Sequence, residues 1–301
     1  MAYTICHVTK FTYETAISEI VMEARMQPRN DGRQRCLHFG LSTVPASRVM
    51  RYQDHDANIV HCFHIPGRHS ELVVTAEALV DCGPFDRLPE SLGLGAWQRL
   101  DAIAASGECW EVLAPSRFAC PTPALDHLAA EMELGRGNDP LVTLRWLMGA
   151  ISRRFEHVPR STRDFVHIFI ALARRLGVPC RYVSGYFFEP SAKTTQPVDG
   201  ATHAWAEAWL PELGWVGWDP TNNLIAGERH IRVAVGRDYA DVPPTRGVSV
   251  GMSAVRSGLT VAVRIGPTEM LPTDHAPTFV PWVSQEVSPP RGDAAARQQQ
   301  Q

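Results

Sequence analysis

The chain has 301 residues, of which 45% are hydrophobic and 20% are charged. This composition is typical of a soluble globular protein with room for two ordinary domains. A net charge of −3 and a pI of about 6.5 provide no electrostatic basis for binding nucleic acid or an anionic membrane. No run of residues is long and apolar enough to span a bilayer. We therefore expect neither nucleic acid nor membrane among its partners.

Seven scattered cysteines, at positions 6, 36, 62, 82, 109, 120 and 180, form no C-x-x-C motif. An odd number without such a motif favours reduced thiols over a disulfide framework. The first residues, Met1 to His7, lack the charged segment and apolar run of a signal peptide. We therefore predict a cytoplasmic protein, and we expect no cofactor.

Residues 1–83 consist of strand-like runs separated by turn clusters, which predicts an antiparallel β domain. The runs are 3–13, 20–27, 35–44, 57–65 and 71–80. Four potential metal ligands crowd one part of this domain: His61, Cys62, His64 and His69. However, His61 and His64 are three residues apart on a predicted strand, so they point to opposite faces. We interpret these residues as ordinary polar positions and expect no metal.

Residues 84–123 are richer in Gly, Pro and Ser, which predicts a junction between domains. A second domain is predicted over residues 124–266. It begins with helical patterns over 124–134 and from Pro140, where Asp139 is suited to capping the helix. A third helix runs from about residue 161 to Gly177, and strands follow over 180–188, 230–235 and 259–265. Residues 267–301 are rich in Pro, Ala and Gln, which predicts a flexible tail.

The densest cluster of chemically interesting residues is the stretch 202–222, T-H-A-W-A-E-A-W-L-P-E-L-G-W-V-G-W-D-P-T-N. Its alternation and central turn predict a β-hairpin with His203 on the first strand and Asp219 ending the second. A carboxylate beside an imidazole fixes its tautomer and supports it as a general base. A core aromatic hairpin with a surface histidine explains the pattern equally well. Counting across a four-residue turn places Asp219 opposite Ala206, so contact with His203 would require a bulge or twist.

The order of helix, strand, histidine strand and aspartate strand is that of the papain-like and transglutaminase core. The sequence resembles the bacterial transglutaminase-like cysteine protease family in several ordered runs up to about residue 251. The matching runs are H-V-T (7–9), F-T-Y (11–13), D-F-V-H (164–167), G-V-P-C-R-Y-V-S-G-Y (177–186), H-A-W-A-E (203–207), G-W-V-G-W-D-P-T-N (214–222) and V-G-R-D-Y-A-D-V (235–242). The resemblance implies an α+β fold, in which an N-terminal antiparallel β domain precedes a papain-like/transglutaminase-like core with a helix packed on an antiparallel sheet.

In that family a cysteine at the start of the helix is the nucleophile, a histidine is its base, and an aspartate orients the histidine. The resemblance assigns the last two roles to His203 and Asp219. The family's cysteine stands two residues before the D-F-V-H run, and this chain has Thr162 there, preceded by Ser161. The segment that normally separates this helix from the preceding one is also shortened, so no alignment places a cysteine at the helix start.

The substitution matters because a thiol at a helix N-terminus beside an imidazole ionises readily, whereas a hydroxyl gains far less from that setting. Ser161 or Thr162 is instead well suited to capping the helix. Cys180 is the only nearby thiol, and since it follows the end of the helix we interpret it as buried and structural. His167, one turn after Asp164, is interpreted as a packing residue.

Three functions remain open. In the first hypothesis, the chain is a non-catalytic homologue, or pseudoenzyme, that binds a peptide or a protein partner. His203 and Asp219 are then the remnant of a catalytic triad. Alternatively, it is an active amide hydrolase, peptidase or acyl transferase that uses Thr162, Ser161 or a displaced cysteine. The third and weakest hypothesis is a metal-binding module built on the histidines of the first domain. We favour the first.

Overall fold

The structure is a computed structural model that describes residues 1–156, 162–190, 198–200, 202–250 and 257–269. The predicted tail lies almost entirely outside these ranges. No helix within them is both long and apolar enough to cross a membrane. In chain order the elements are β1 (Ala2–Ala24), β2 (Gln34–Val44), β3 (Val49–Gln53), β4 (Ile59–Cys82), α1 (Ala96–Ser106), α2 (Trp110–Leu113), α3 (Pro123–Glu131), α4 (Pro140–Phe155), α5 (Thr162–Arg175), β5 (Cys180–Phe187), β6 (Val198–Gly200), β7 (Thr202–Leu210), β8 (Gly214–Asp219), β9 (Leu224–Ile225), β10 (His230–Gly236), β11 (Thr245–Val250) and β12 (Ser257–Thr268).

The first sheet is built on two long antiparallel strands, β1 and β4, which pair along most of their length. Four of the predicted strands merge into these two, because the register shifts between Thr12 and Glu19 bend the strands without ending them. Pro66 is paired with Glu19 at this irregularity, where a ladder tolerates a proline. The turn signals within residues 14–19 and 66–69 thus mark a bend rather than a loop.

The first sheet also contains strands from the far end of the described chain. Its order is β2-β4-β1-β12-β6, and β11 pairs with β1 while β3 pairs with β4. Strands β11 and β12, which lie almost entirely within the predicted second domain (124–266), therefore belong to the first sheet. Local alternation predicts that residues 259–265 form a strand, but it carries no information about which strand they join. The boundaries at residues 83 and 124 stay a prediction.

The second sheet has the order β10-β5-β7-β8-β9, and α5 packs on one of its faces. The alanines of β7 alternate toward this helix and share a buried core with Val166 and Phe169 of α5. Their small side chains let the helix lie close to the strand. The opposite face of β7 carries His203, Trp205 and Glu207, all of them buried. The architecture is α+β, as the sequence predicts.

Two local predictions in the second domain are confirmed in detail. Asp139 caps α4, since its Oδ1 accepts hydrogen bonds from the N–H groups of Leu141 at 2.8 Å and Val142 at 3.2 Å. Pro140 occupies the first turn of that helix. The other carboxylate oxygen of Asp139 accepts from the N–H groups of Leu92 and Gly93, so the same residue also fixes the junction against α4.

Strand β10 lies at the edge of the second sheet, and its outer edge has no neighbour among the described strands of that sheet. Two buried side-chain amides from the first sheet and its turns form hydrogen bonds with this edge. Gln34 accepts from the N–H of Arg232 and donates to its carbonyl oxygen, each at 2.8 Å. Asn58 makes the equivalent pair of 2.8 Å bonds with Val235. Each amide replaces one residue of a missing neighbouring strand, which satisfies the edge and fixes β10 against the first sheet.

We predict that Asn58→Ala lowers the free energy of unfolding by about 2 kcal/mol, because it leaves a buried N–H and a buried carbonyl of Val235 without partners. Chemical denaturation measures the change. The matched control is Gln53→Ala at an exposed position of β3, which should change stability by less than about 0.5 kcal/mol. Equal effects in the two variants would contradict this account of the edge.

His7 of β1 is buried between the two sheets. Its Nδ1 lies 2.9 Å from the hydroxyl of Tyr186 on β5, and its Nε2 lies 3.1 Å from Oγ1 of Thr9. Burial lowers the pKa of His7 from 6.5 to about 4. The folded protein therefore holds this imidazole neutral, while the unfolded chain protonates it below pH 6.5.

The linkage predicts that His7 costs no stability above pH 6.5 and that stability is lost as the pH falls from 6.5 to about 4. The loss attributable to His7 is about 3 kcal/mol. His7→Gln keeps a hydrogen-bonding side chain that does not titrate, so its unfolding free energy should fall less steeply over the same range. Parallel pH profiles for the two proteins, measured by chemical denaturation, would rule out this role.

Candidate functional site

His203 and Asp219 lie on the same face of the second sheet because of the register of the β7–β8 hairpin. Leu210 pairs with Gly214 and Ala206 pairs with Trp218. Continuing this register places Asp219 opposite Trp205, not opposite Ala206 as the sequence count predicts. The count is wrong by one residue because Gly214 already belongs to β8 and the turn is shorter. Since side chains alternate, that single residue moves Asp219 to the face of His203, and no bulge is needed.

The predicted pair is in direct contact. Nε2 of His203 donates to Oδ2 of Asp219 at 2.7 Å. The histidine is only 8% exposed and the aspartate is completely buried. A hydrogen bond this short to a buried carboxylate is charge-assisted and holds the imidazole in one orientation.

A third residue, His230, completes the cluster, and no motif in the sequence singles it out. Its Nε2 lies 3.1 Å from the same Oδ2 of Asp219. His230 is the first residue of β10, which pairs with β5, and β5 in turn pairs with β7. The strand-like run from His230 is visible in the sequence. However, the pairing of this run with β5 is a contact between distant segments, and the run itself does not predict it.

Asp219 accepts hydrogen bonds through both carboxylate oxygens. Oδ1 accepts from the backbone N–H groups of Thr221 at 3.1 Å and Asn222 at 3.2 Å, and Oδ2 also accepts from Nδ2 of Asn222 at 2.8 Å. Burial would raise the pKa of this carboxyl, but the hydrogen bonds from His203 and His230 outweigh burial and hold the pKa well below its usual value. The aspartate is therefore an ionised carboxylate at the centre of five donors.

The hydrogen bonds define the tautomers of both imidazoles. The backbone N–H of Gly227 donates to Nδ1 of His230 at 3.2 Å, so the proton of the neutral ring is on Nε2. Burial lowers the pKa of His230 against the opposing effect of Asp219, which keeps this ring neutral. His203 likewise uses its Nε2–H on the ionised Asp219. In the neutral form of this ring Nδ1 carries the lone pair, and no described residue forms a hydrogen bond with that atom.

The same three residues are the one group in the described ranges whose ligand atoms, all within 4.8 Å of one another, could hold a metal ion. The donor set does not fit. A metal on Nε2 of His230 needs the lone pair of that atom, while Nδ1 already uses its own lone pair on the N–H of Gly227. Both nitrogens would then lack a proton, whereas a metal-bound histidine normally donates its second N–H to an acceptor. The cluster is a hydrogen-bond network.

The histidines of the first domain have separate partners. Nε2 of His64 pairs with Glu19 at 2.8 Å on an exposed face, His61 is buried against Phe39, and His69 donates through Nδ1 to the carbonyl of Gly67 at 2.9 Å. His61 and His64 differ in burial as residues on opposite faces of a strand do. They form no shared ligand set with Cys62 in the described ranges.

Aromatic side chains fix the rings of the cluster. Phe187 lies 5.3 Å from the ring of His203 and 4.6 Å from that of His230, measured between centroids. The buried indole of Trp205 lies against His230 at 5.2 Å. This indole occupies the space over Gly185, where a Cβ would come within 2.7 Å of Cη2. The glycine therefore makes room for the tryptophan, which in turn restricts the imidazoles.

The position of the expected nucleophile is the start of α5. Thr162 is the first residue of that helix, and Ser161 lies outside the described residues. All seven cysteines fall within the described ranges, and none forms a hydrogen bond with His203 or His230. Cys180 is buried as predicted, and burial raises the pKa of its thiol to about 12. His167 stacks between Phe118 and Tyr182, at 5.4 and 5.1 Å between ring centroids, which is the predicted packing role.

This fold has a buried histidine and a buried aspartate on adjacent strands. Similar sequences and structures identify the class of protein that shares it. The family profile "Bacterial transglutaminase-like N-terminal region" matches residues 3–81, and the profile "Transglutaminase-like superfamily" matches residues 160–220. An uncharacterised protein of Mycobacterium leprae is 31% identical over 284 residues, covering 87% of this chain and 97% of that protein. A Mycobacterium tuberculosis protein, also uncharacterised, is 31% identical over 298 residues, covering 89% of this chain and 93% of its own.

The chain therefore belongs to the transglutaminase-like superfamily, with the N-terminal region of its bacterial members. A crystal structure from Cytophaga hutchinsonii, described provisionally as a cysteine protease, matches with a TM-score of 0.66 at 18% identity. The match covers 92% of this chain and 94% of that one. At this identity the likeness confirms the fold, an N-terminal β region followed by a transglutaminase-like core.

We predict that Asp219→Asn lowers the free energy of unfolding by about 3 kcal/mol, because the amide presents its own N–H groups to buried donors. The matched control is Asp86→Asn, which removes a carboxylate that is 83% exposed and pairs with Arg33. That exposed pair should be worth less than about 1 kcal/mol. If chemical denaturation gives the same small loss for both variants, Asp219 does not hold the site together.

Proposed function

We propose that this chain is a non-catalytic member of the transglutaminase-like superfamily that binds a peptide, or a segment of a protein partner, beside His203 and Asp219. One observation carries the proposal. The resemblance assigns the family's cysteine position to Thr162, the first residue of α5, and none of the seven cysteines forms a hydrogen bond with either imidazole of the site. The free cysteines and the net charge of −3 support a cytoplasmic location and a partner other than nucleic acid or membrane.

The chemistry of the hydroxyl group supports this proposal. A thiol placed at a helix N-terminus beside an imidazole is converted to a thiolate by the helix dipole and the neighbouring cation. A threonine hydroxyl stays protonated there and requires complete transfer of its proton to a base in the transition state. Its branched Cβ also crowds the approach to a carbonyl carbon.

The survival of the histidine–aspartate pair has a structural explanation that needs no catalysis. The carboxylate of Asp219 holds together β7 through His203, β10 through His230, and the turn after β8 through Asn222. Removing it would leave the buried imidazoles of His203 and His230 without their common acceptor. Selection for folding alone would therefore retain the pair in a protein that performs no reaction.

The alternative is an amide hydrolase or acyl transferase, and one observation favours it. The Nε2–H tautomer of His203 leaves Nδ1 as a lone-pair base. In such a reaction the hydroxyl oxygen of Thr162 or Ser161 would attack an amide carbonyl while Nδ1 takes the hydroxyl proton. That proton would pass to the departing amine as the C–N bond breaks, leaving an ester that water or a second amine then cleaves.

Incubation with a library of peptide amides, analysed by mass spectrometry, tests the proposal. We expect peptides to be retained by the protein, with no released amine, no cleaved product and no acylated protein. A thiol-directed probe should label cysteines to the same extent in wild type and in His203→Ala. The matched control is His64→Ala, which removes an exposed histidine paired with Glu19. Turnover that persists in His64→Ala and disappears in both His203→Ala and Thr162→Ala would establish the enzymatic alternative.

A further inference from the structure

A cavity of about 440 Å³ lies beside the histidine–aspartate cluster, with His230 in its wall. Its lining comes from separate parts of the chain: the start of β1, the residues that follow β5, strand β9, and the loop that leads into β10. A volume of this size is in the range of sites for small ligands and for single peptide side chains with their backbone. Of the three residues in the cluster, His230 lines this space, whereas His203 and Asp219 do not.

The walls of the cavity are largely apolar. Tyr3 and Phe188 pack against each other with ring centroids 5.3 Å apart, and Leu224 and Ile225 line the cavity near them. Phe85 also lines it and remains 40% exposed, an unusual exposure for a phenylalanine that flanks a concave surface. Such walls favour a large apolar group over a polar one.

The loop that forms one side of the cavity is held in place before any ligand binds. Phe188 donates its backbone N–H to the carbonyl of Arg229, and His230 donates its backbone N–H to the carbonyl of Gly227, each at 2.9 Å. Gly227 also donates to Nδ1 of His230. Because these bonds fix the loop, a ligand would lose little affinity to ordering it.

One polar group in the lining has an unusually weak partner. The hydroxyl of Tyr3 donates to Sδ of Met1 at 2.9 Å, and a thioether is a weak acceptor. Burial raises the pKa of Tyr3 to about 12, so the hydroxyl keeps its proton and remains a donor. Tyr3 is completely buried, whereas Met1 is 59% exposed, so a ligand reaches this hydroxyl by displacing the Met1 side chain. A carbonyl oxygen would be a stronger acceptor than the displaced thioether. Glu228 and Arg229 add one charge of each sign to the lining, and the ammonium of Met1 is engaged by the carbonyl of Cys82 and by Asp81. This balance favours a ligand without net charge.

We propose that this cavity is the subsite for a large apolar side chain, aromatic or branched aliphatic, of an uncharged peptide segment, and that a carbonyl oxygen of that segment displaces the exposed Met1 side chain and accepts a hydrogen bond from the Tyr3 hydroxyl. The inference rests on the proposed function and specifies its ligand class. Since His230 belongs to both the cavity wall and the cluster, a segment seated here lies against the histidine whose Nε2 is bonded to Asp219.

Titration calorimetry with two capped amino acids tests the subsite. N-acetyl-phenylalanine amide should bind at least about tenfold more tightly than N-acetyl-glycine amide, which lacks the side chain to fill the cavity. Phe85→Ala should weaken binding of the phenylalanine probe about tenfold, and Tyr3→Phe, which keeps the ring, about fivefold. The matched control is Trp110→Ala, since Trp110 is 62% exposed and lines a separate cleft. Its affinity should equal that of wild type.

Equal affinity for the two probes, or unchanged affinity in both Phe85→Ala and Tyr3→Phe, would overturn the subsite. Thermal unfolding of each variant separates loss of binding from loss of fold, and the exposed Phe85 provides a variant with little effect on the core. If wild type and both variants retain the same library peptides with equal affinity, the cavity proposal fails and the proposed function stands. If wild type retains no peptide at all, the proposed function fails and the cavity proposal with it.

Discussion

The buried carboxylate of Asp219 is the constraint on which the site depends. It is ionised, has no contact with solvent, and accepts hydrogen bonds from two histidines on different strands and from the turn that follows its own strand. A buried charge is tolerated only when it is paired and hydrogen-bonded. The buried imidazoles also require the carboxylate, because their Nε2–H groups would otherwise lack an acceptor. The cluster therefore persists as a unit, whether or not a nucleophile faces it.

The rest of the fold maintains the geometry of this unit. Gly185 leaves room for Trp205, and Trp205 and Phe187 confine the two imidazoles. The edge of β10, which carries His230, is fixed to the first sheet through Gln34 and Asn58. The start of β1 reaches the same region, where Tyr3 lines the cavity beside His230. The N-terminal region therefore contacts the strand that carries His230 and contributes to the wall of the neighbouring cavity.

Local patterns predicted much of this structure, and the failures share one physical cause. Asp139 as a helix cap, Cys180 as a buried thiol and the hairpin containing His203 all follow from residues close together in sequence. The partner of β12, the merging of strands into β1 and β4, and the third member of the cluster, His230, depend on pairings between distant segments. The register of Asp219 was missed by a single residue, and in a sheet a single residue decides the face on which a side chain lies.

The most direct test of the account is the protonation of the ring nitrogens of His203 and His230, measured by long-range ¹H–¹⁵N correlation at neutral pH. We predict a proton on Nε2 of both rings and a lone pair on Nδ1 of His230, since each Nε2 donates to the ionised Asp219 and the N–H of Gly227 donates to Nδ1 of His230. A proton on Nδ1 of His230, with Nε2 unprotonated, would contradict it. That result would remove Asp219 as the common acceptor and make the three residues a plausible set of metal ligands.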